Sequence, residues 1–345
     1  MSRIIVFDLN NNPIGQFSAD CNRGWILLGN TGVSDGGQTT VSIPTEVARL
    51  PWLQLGRMVL VEEPPLPAWA GVIDMPWSGT PEEGVELTFY NAEYLLSMRS
   101  AERSVQVVGS VASVIGEMIH QANIQEPIYM FLGTTGNVQD QKDFVIEQAN
   151  IWDQMIKLLE DSGYEMALRP QRDTHNHLSI YADIGLGLGV NTGFLLHDGD
   201  NGNMKVIQYA VDGGAINRVR GTSGETSESE QLETEVFEDQ ASQNIYRTRS
   251  EVIQFRNVTQ LSVLNQYTQN YLSNVSMPYL TLTVDVLDVG DAFSNLRVGN
   301  RLIAHAAEIY LPGGKKGWRG TVRILAMALD ERQRTMRTVL RGSLL

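Results

Sequence analysis

The sequence predicts a β-rich α+β protein in which two β-rich ends flank a small α+β middle domain. Residues 1–97 and 203–345 consist mainly of short apolar runs separated by turn residues, which is typical of sandwiches and barrels. Residues 98–202 instead carry two amphipathic helices followed by two strands, which favours an α+β unit. A chain of 345 residues exceeds one ordinary hydrophobic core, so the three regions are predicted as separate domains.

The first region carries its apolar runs at close intervals. Val, Ile, Leu and Trp dominate these runs, and segments rich in Asn, Gly and Pro separate them. Closure of such strands into a barrel would remove exposed strand edges. The predicted strands lie at 3–9, 25–28, 39–43, 57–62, 68–74 and 85–90.

The middle region contains the clearest helical signals. Ser110 and Asn150 can each cap a helix, because both precede an apolar stripe of helical spacing. Gly163 suits the left-handed position that ends the second helix. Two strands are then predicted, at 164–168 and 178–182.

The last region returns to strands but holds one acidic segment, 222–239, with seven acidic residues and no basic one. Such a segment predicts a solvated loop or a mobile arm. A helix is predicted at about 255–273 from its apolar spacing. Strands are predicted at 204–211, 216–221, 279–287, 301–310, 318–329 and 335–340.

The formal net charge is −14, which argues against a protein that grips nucleic acid by its phosphates. It is compatible with a surface past which DNA slides, because a negative wall repels phosphates. The apolar runs are too short to cross a bilayer, and no charged-then-apolar leader opens the sequence.

Three short motifs suggest chemistry. Asp173, His175 and His177 alternate, so a strand would place them on one face as a partial metal site, whereas a polar hairpin turn is the alternative.

The repeat 185–189, Gly-Leu-Gly-Leu-Gly, resembles a dinucleotide loop, but a strand rather than a helix is predicted to follow it. Close backbone packing or a flexible loop is the other interpretation. The one cysteine, Cys21, is either a nucleophile with a distant histidine or a small buried apolar residue.

Aromatic residues suggest either a sugar-binding platform or packing at barrel seams. The residues concerned are Trp52, Trp69, Trp77 and Trp318. Trp318 follows a Gly- and Lys-rich tip, so Lys315, Lys316 and Trp318 are predicted as an exposed interface.

The order of strands and turns over residues 3–73 resembles the opening β-barrel of phage tail-tip and baseplate hub proteins. Residues 239–249 resemble a segment that precedes a helix in this family, with Arg247 at the place of the family's glycine. Residues 296–302 resemble the family's strand entered through a Val-Gly-Asp turn, with Asn300 in place of Asp.

The resemblance implies two tail-tube-like β-barrels, 1–97 and 203–345, flanking the α+β domain 98–202. It implies a homotrimeric ring in the virion tail tip, made in the host cytoplasm, that adapts a six-fold tail tube to a three-fold fibre or spike. The implied partners are a distal tail protein or the tail tube, the tape-measure protein and a central fibre or spike. DNA would pass through the lumen without specific binding.

No catalytic residue, cofactor or membrane segment is predicted. An acidic or neutral lumen is expected, and the residues placed there are Glu225, Glu228, Glu230, Glu233 and Glu235. Two alternatives remain open. One is a tail-associated cell-wall hydrolase, although His-Glu-x-x-His and Gly-x-Ser-x-Gly do not occur in the sequence. The other is a metal-dependent binding module built on Asp173, His175 and His177.

Overall fold

The computed structural model describes residues 1–29, 38–80, 84–136, 142–212, 215–223, 231–255, 258, 260–312 and 314–344. Its strands, in chain order, are β1 (Ser2–Phe7), β2 (Pro13–Ala19), β3 (Arg23–Ile26), β4 (Leu28–Gly29), β5 (Gln38–Ile43), β6 (Met58–Glu62), β7 (Trp69–Thr80), β8 (Gly84–Asn91), β9 (Val105–Gly109), β10 (Met130–Thr135), β11 (Lys142–Ile146), β12 (Glu165–Arg172), β13 (Leu178–Gly185), β14 (Asn191–His197), β15 (Met204–Asp212), β16 (Arg218–Ser223), β17 (Phe237–Glu238), β18 (Ser250–Phe255), β19 (Tyr279–Leu287), β20 (Arg301–Leu311), β21 (Lys315–Asp330) and β22 (Thr335–Ser343). The helices are α1 (Thr45–Ala48), α2 (Glu93–Ser97), α3 (Val111–Gln125), α4 (Ile151–Ser162), α5 (Gln240–Tyr246), α6 (Leu261–Val275) and α7 (Ala292–Asn295).

The first sheet has the order β2-β1-β6-β7-β8-β5 and is antiparallel throughout. Both of its faces are buried. In β1, Ile4 and Val6 join one hydrophobic cluster, whereas Ile5 and Phe7 join a second cluster that includes the apolar faces of α3 and α4. Burial on both faces explains why the strand is a continuous apolar run rather than an alternating one.

The second sheet has the order β14-β20-β21-β22-β19-β15. Its strands alternate more clearly, because Leu280, Leu282 and Val284 of β19 face the core and the residues between them are half-exposed. Neither this sheet nor the first closes into a barrel within the described residues. The structure therefore confirms the β-rich α+β fold, while the predicted pair of closed barrels is not confirmed.

The two sheets share a strand order. Numbered in chain order within each sheet, the strands run 2-1-4-5-6-3 in the first sheet and 1-4-5-6-3-2 in the second. Read as a closed circle, the two orders are identical. They differ only in which two neighbours of the circle are left unpaired: strands 2 and 3 in the first sheet, and strands 1 and 2 in the second. One direction differs, since β1 runs antiparallel to β6 and β14 runs parallel to β20. The chain thus contains two units of six strands with related topology, and β3 adds a seventh strand to the second sheet.

The middle region matches its predicted helices closely. The side chain of Ser110 accepts from the Ser113 N–H at 3.2 Å and begins α3, and Asn150 accepts from the Asp153 N–H at 3.2 Å and begins α4. Gly163 ends α4 with φ +72° in the left-handed region. The helices pack on a four-stranded sheet of order β10-β13-β12-β4.

Short strands join the three regions. β3 pairs with β21 of the second sheet, and β4 pairs with β12 of the middle sheet, although both belong to the region predicted as the first domain. β14 lies within the region predicted as the middle domain but pairs with β20, so the second sheet begins before residue 203. Backbone pairing across these boundaries makes the three regions one connected structure.

A small three-stranded sheet, of order β17-β16-β18, packs against α6. The predicted helix at 255–273 was too long at its start, because Phe255 ends β18 and α6 begins at Leu261. Phe255 and Val258 nevertheless pack with Leu264 and Tyr267. Apolar residues of β18 and of α6 pack in the same core, and their spacing in the sequence therefore resembled the apolar stripe of one helix.

Candidate assembly surfaces

A buried ionic network holds the first sheet against the second. The side chain of Arg23 is fully buried, and its guanidinium lies 2.7 Å from Oε2 of Glu63 and 3.3 Å from Oε2 of Glu331. That oxygen of Glu331 also accepts from the Ser2 hydroxyl at 2.8 Å and from the Cys21 N–H at 2.7 Å. Residues distant in the sequence thus satisfy one another's charge, and no sequence pattern indicated the pairing.

The two carboxylates of this network are held ionised. Burial alone would raise the pKa of Glu331, but the hydrogen bond from the Cys21 N–H and the others to its oxygens outweigh burial and lower that pKa. The pKa of Glu63 is lowered in the same way, since bonds from Arg23, Ser2 and Arg334 outweigh burial. The network therefore depends on the charged forms.

A second ion pair joins the middle sheet, β10-β13-β12-β4, to the second sheet. Arg323 of β21 donates to both carboxylate oxygens of Glu165 on β12. The same guanidinium donates to the carbonyl of Leu188 at 2.7 Å and to that of Gly299 at 3.2 Å. Arg323 thus ties four backbone segments together.

The glycine repeat 185–189 lies at this junction. Gly189 has φ +93°, and a Cβ placed on it would come within 2.2 Å of the carbonyl carbon of Gly299. Asn300 accepts from the Val190 N–H at 3.0 Å, and β14 follows the loop. The loop opens a strand rather than a helix, so the prediction of close backbone packing is confirmed and the dinucleotide interpretation is wrong.

Asp173, His175 and His177 form a hairpin turn between β12 and β13. One oxygen of Asp173 accepts the backbone N–H groups of both histidines at 2.8 Å, and its other oxygen lies 3.5 Å from Nδ1 of His177. Burial has the largest effect and would raise the pKa of Asp173, but these backbone bonds lower it on balance. The carboxylate is engaged by its own turn, and the described residues contain no group of three or more potential ligands placed to hold a metal ion.

Cys21 is buried, and burial raises the pKa of its thiol to about 12. A thiol held protonated at neutral pH is a poor nucleophile. Its packing in the main hydrophobic cluster confirms the interpretation of Cys21 as a small buried apolar residue.

The predicted interface at Lys315, Lys316 and Trp318 is only partly exposed. Both lysines lie on the surface at the start of β21, and Lys316 pairs with Glu308 at 2.8 Å. Trp318 is buried in the main cluster, so the prediction of an exposed contact at that residue was wrong. Its position in β21 turns the ring inward, because alternate residues of a strand point to opposite faces.

The acidic segment is anchored where the structure describes it. Glu233 forms a β-bridge with Thr222 and lies 3.6 Å from Arg220, and Glu238 pairs with Arg218 at 2.9 Å. Residues 231–239 therefore pack along β16 rather than forming a free arm. Glu235 is exposed beside them, and three of the predicted lumen residues lie outside the described residues: Glu225, Glu228 and Glu230.

Two sheet edges remain as surfaces for assembly. β15 pairs with β19 on one side, and in the described part of the chain no strand is hydrogen-bonded to its other side. Along β15, Ile207 is 45% exposed, Tyr209 39% and Val211 37%. β14 forms the opposite edge of the same sheet and exposes Leu195. An apolar strand edge of this kind is a template for pairing with another chain.

None of the helices in the described ranges has the length and apolar character that crossing a membrane requires.

The chain resembles phage tail proteins in structure, but not measurably in sequence. No protein-family model and no curated protein matches it. The prophage tail protein gp18 from Listeria monocytogenes EGD-e matches 99% of this chain and 94% of its own, at 10% identity and a TM-score of 0.60. The 43 kDa tail protein of prophage MuSo2 from Shewanella oneidensis matches 98% of each chain, at 13% identity and a TM-score of 0.57.

A tail protein from Neisseria meningitidis MC58 matches 99% of this chain and 96% of its own, at 14% identity and a TM-score of 0.59. The fold is thus that of prophage tail proteins. The resemblance to phage tail proteins that was read from the sequence is therefore confirmed at the level of the fold.

Proposed function

We propose that this protein is the structural hub of a phage tail tip. Three copies form a ring that joins a six-fold tail tube to a three-fold fibre or spike. The observation that carries this proposal is the match to three tail proteins over nearly the full length of every chain concerned. The match leaves no large part of this chain without a counterpart in those proteins.

The repeated strand order supports the three-fold arrangement. Each chain holds two large sheets whose six main strands follow one cyclic order, so three copies carry six such sheets around one axis. Such a ring presents six similar units to the tube and three identical chains to the fibre. A heterologous interface that closes into a ring is the geometry this requires.

An open edge provides the means of assembly. β15 leaves main-chain groups available at one edge of the second sheet, and strand pairing between copies would satisfy them. At the β14 edge the side chain of Asn203 already bonds the main chain of Leu195 and His197. The neighbours in the particle would be a distal tail protein or the tail tube, the tape-measure protein, and a central fibre or spike. The ring would reside in the virion tail tip after synthesis in the host cytoplasm, and its lumen would pass DNA without holding it.

The oligomeric state tests this proposal. Light scattering on the purified protein is expected to give about three times the chain mass of 38.3 kDa, and cryo-electron microscopy of the particle is expected to show three copies at the tail tip. Ile207→Lys on β15 should weaken the ring. Ile124→Lys is the matched control, because Ile124 is 56% exposed on α3, away from the sheet edges. Five or six copies in the particle would refute the two-sheet argument.

A further inference from the structure

Three arginines lie side by side on the outer face of the second sheet. Arg301 of β20 lies directly opposite Arg323 of β21, which lies directly opposite Arg341 of β22. Directly opposed residues project to the same face, and like charges in that position destabilise a sheet. In a chain of net charge −14, this row requires an explanation.

The row forms the floor of a cleft of about 560 Å³ between the second sheet, the start of β12 and the end of α6. Among the described residues that line it, Glu165 is the one carboxylate. Glu165 is already occupied, because both of its oxygens accept from Arg323. The cleft is therefore a basic site within an acidic protein.

Arg301 is the arginine of the row left for a ligand. In the described part of the chain, no carboxylate lies within ion-pair distance of its guanidinium. One of its Nη atoms lies 3.0 Å from the place where a Cβ on Gly187 would be, so the glycine leaves room for the guanidinium beside the loop. Across the cleft, the guanidinium of Arg341 lies 4.2 Å from the centre of the Tyr279 ring, which orients it.

We propose that this cleft, the arginine cleft of Arg301, Arg323 and Arg341, binds an acidic segment of a partner protein, one carboxylate of which pairs with the guanidinium of Arg301. Guanidinium groups bind carboxylates in bidentate pairs. The inference adds a partner site to the protein and does not depend on the proposed tail role or on the number of copies.

An acidic polypeptide fits this site better than a nucleic acid does. Specific protein–DNA interfaces bury roughly 1,000–2,500 Å² of protein surface, whereas this cleft is bounded by α6 on one side and β12 on the other. The overall negative charge would also repel a phosphate backbone that extends beyond the cleft. A short segment with two or three carboxylates meets neither difficulty.

The test is direct binding to the full chain. The probe is a fluorescein-labelled peptide of alternating glutamate and serine, and its anisotropy is followed at low and high salt. A peptide with glutamine for every glutamate and a labelled oligothymidine of equal charge are measured beside it. Arg301→Gln removes the charge at the β20 end of the row. Arg332→Gln is the matched control, because Arg332 is exposed in the turn at the far end of the β21–β22 hairpin.

The glutamate peptide is expected to bind the wild-type protein and the Arg332→Gln variant equally, and high salt should weaken it. Arg301→Gln should weaken binding roughly tenfold, as expected for one lost charge-assisted contact, while its melting temperature stays at the wild-type value. Absence of binding would overturn the proposal, as would equal binding to Arg301→Gln or equal binding of the glutamine peptide. Tighter, Arg301-dependent binding of the oligothymidine would assign the cleft to nucleic acid instead.

Discussion

Replacing Glu331 by Gln should strongly destabilise the protein, because Glu331 supplies the buried negative charge that faces Arg23. One oxygen of Glu331 accepts three hydrogen bonds, from Ser2, from the Cys21 N–H and from Arg23. Glutamine preserves the size and shape of the side chain, so the measured effect reports the charge rather than a cavity. The buried guanidinium of Arg23 would retain Glu63 as its one carboxylate partner.

The magnitude follows from these contacts. A hydrogen bond to a charged group contributes about 1.5–3 kcal/mol and a neutral one about 1 kcal/mol, so neutralising an acceptor of three bonds costs roughly 3 kcal/mol. Breaking a buried ion pair by removing one partner costs about 3–5 kcal/mol. The lower end applies here, because Glu63 still contacts Arg23. We expect a loss of about 3 kcal/mol in the free energy of unfolding.

The assay is urea unfolding followed by tryptophan fluorescence and by circular dichroism. Glu160→Gln is the matched control, because Glu160 is exposed on α4 and the same substitution there should change stability by less than about 0.5 kcal/mol. If Glu331→Gln loses no more than this control, the buried network does not hold the two sheets together, and the reasoning is refuted.

Two further predictions concern pH and the glycine loop. Because the pKa values of Glu331 and Glu63 are lowered in the folded state, their stabilisation is complete above the unfolded pKa of about 4.3 and is lost as the pH falls through the folded values. Urea midpoints should therefore be constant near neutral pH and decline below about pH 4.5, less steeply in Glu331→Gln; an unchanged slope in that variant would contradict the assignment. Gly189→Ala should cost clearly more than Gly193→Ala, because both have positive φ but only Gly189 faces backbone within 2.5 Å. For Gly193→Ala about 1 kcal/mol of backbone strain is expected, and equal melting temperatures for the two variants would mean that the loop contact is unimportant.

Local signals in the sequence predicted the elements that depend on local physics. Ser110, Asn150 and Gly163 placed the ends of two helices correctly, because capping and left-handed termination involve neighbouring residues. The resemblance to tail hub proteins followed from the order of strands and turns. Where a strand and the helix that follows it shared a core, as at Phe255 and Leu264, the pattern was misread as one helix.

Contacts between distant residues decided the surfaces. Nothing near Trp318 in the chain shows that its ring faces the core, and nothing near Glu233 shows that Arg220 lies beside it. The paired residues are far apart in sequence or depend on strand register. A register shift of one residue would turn every side chain of a strand to the other face.

The sequence by itself determined a β-rich fold with a helical middle and its resemblance to phage tail proteins, because strand and helix periodicity, caps and turns depend on adjacent residues. Only the tertiary structure decided which strands share a sheet, that the two large sheets repeat one cyclic order, and that Arg301, Arg323 and Arg341 form a row. These features depend on the pairing register of strands that are far apart in the sequence. Asn191 pairs with Arg301, and Arg23 pairs with Leu329. That register is fixed by the burial of both sheets against common cores rather than by any local pattern.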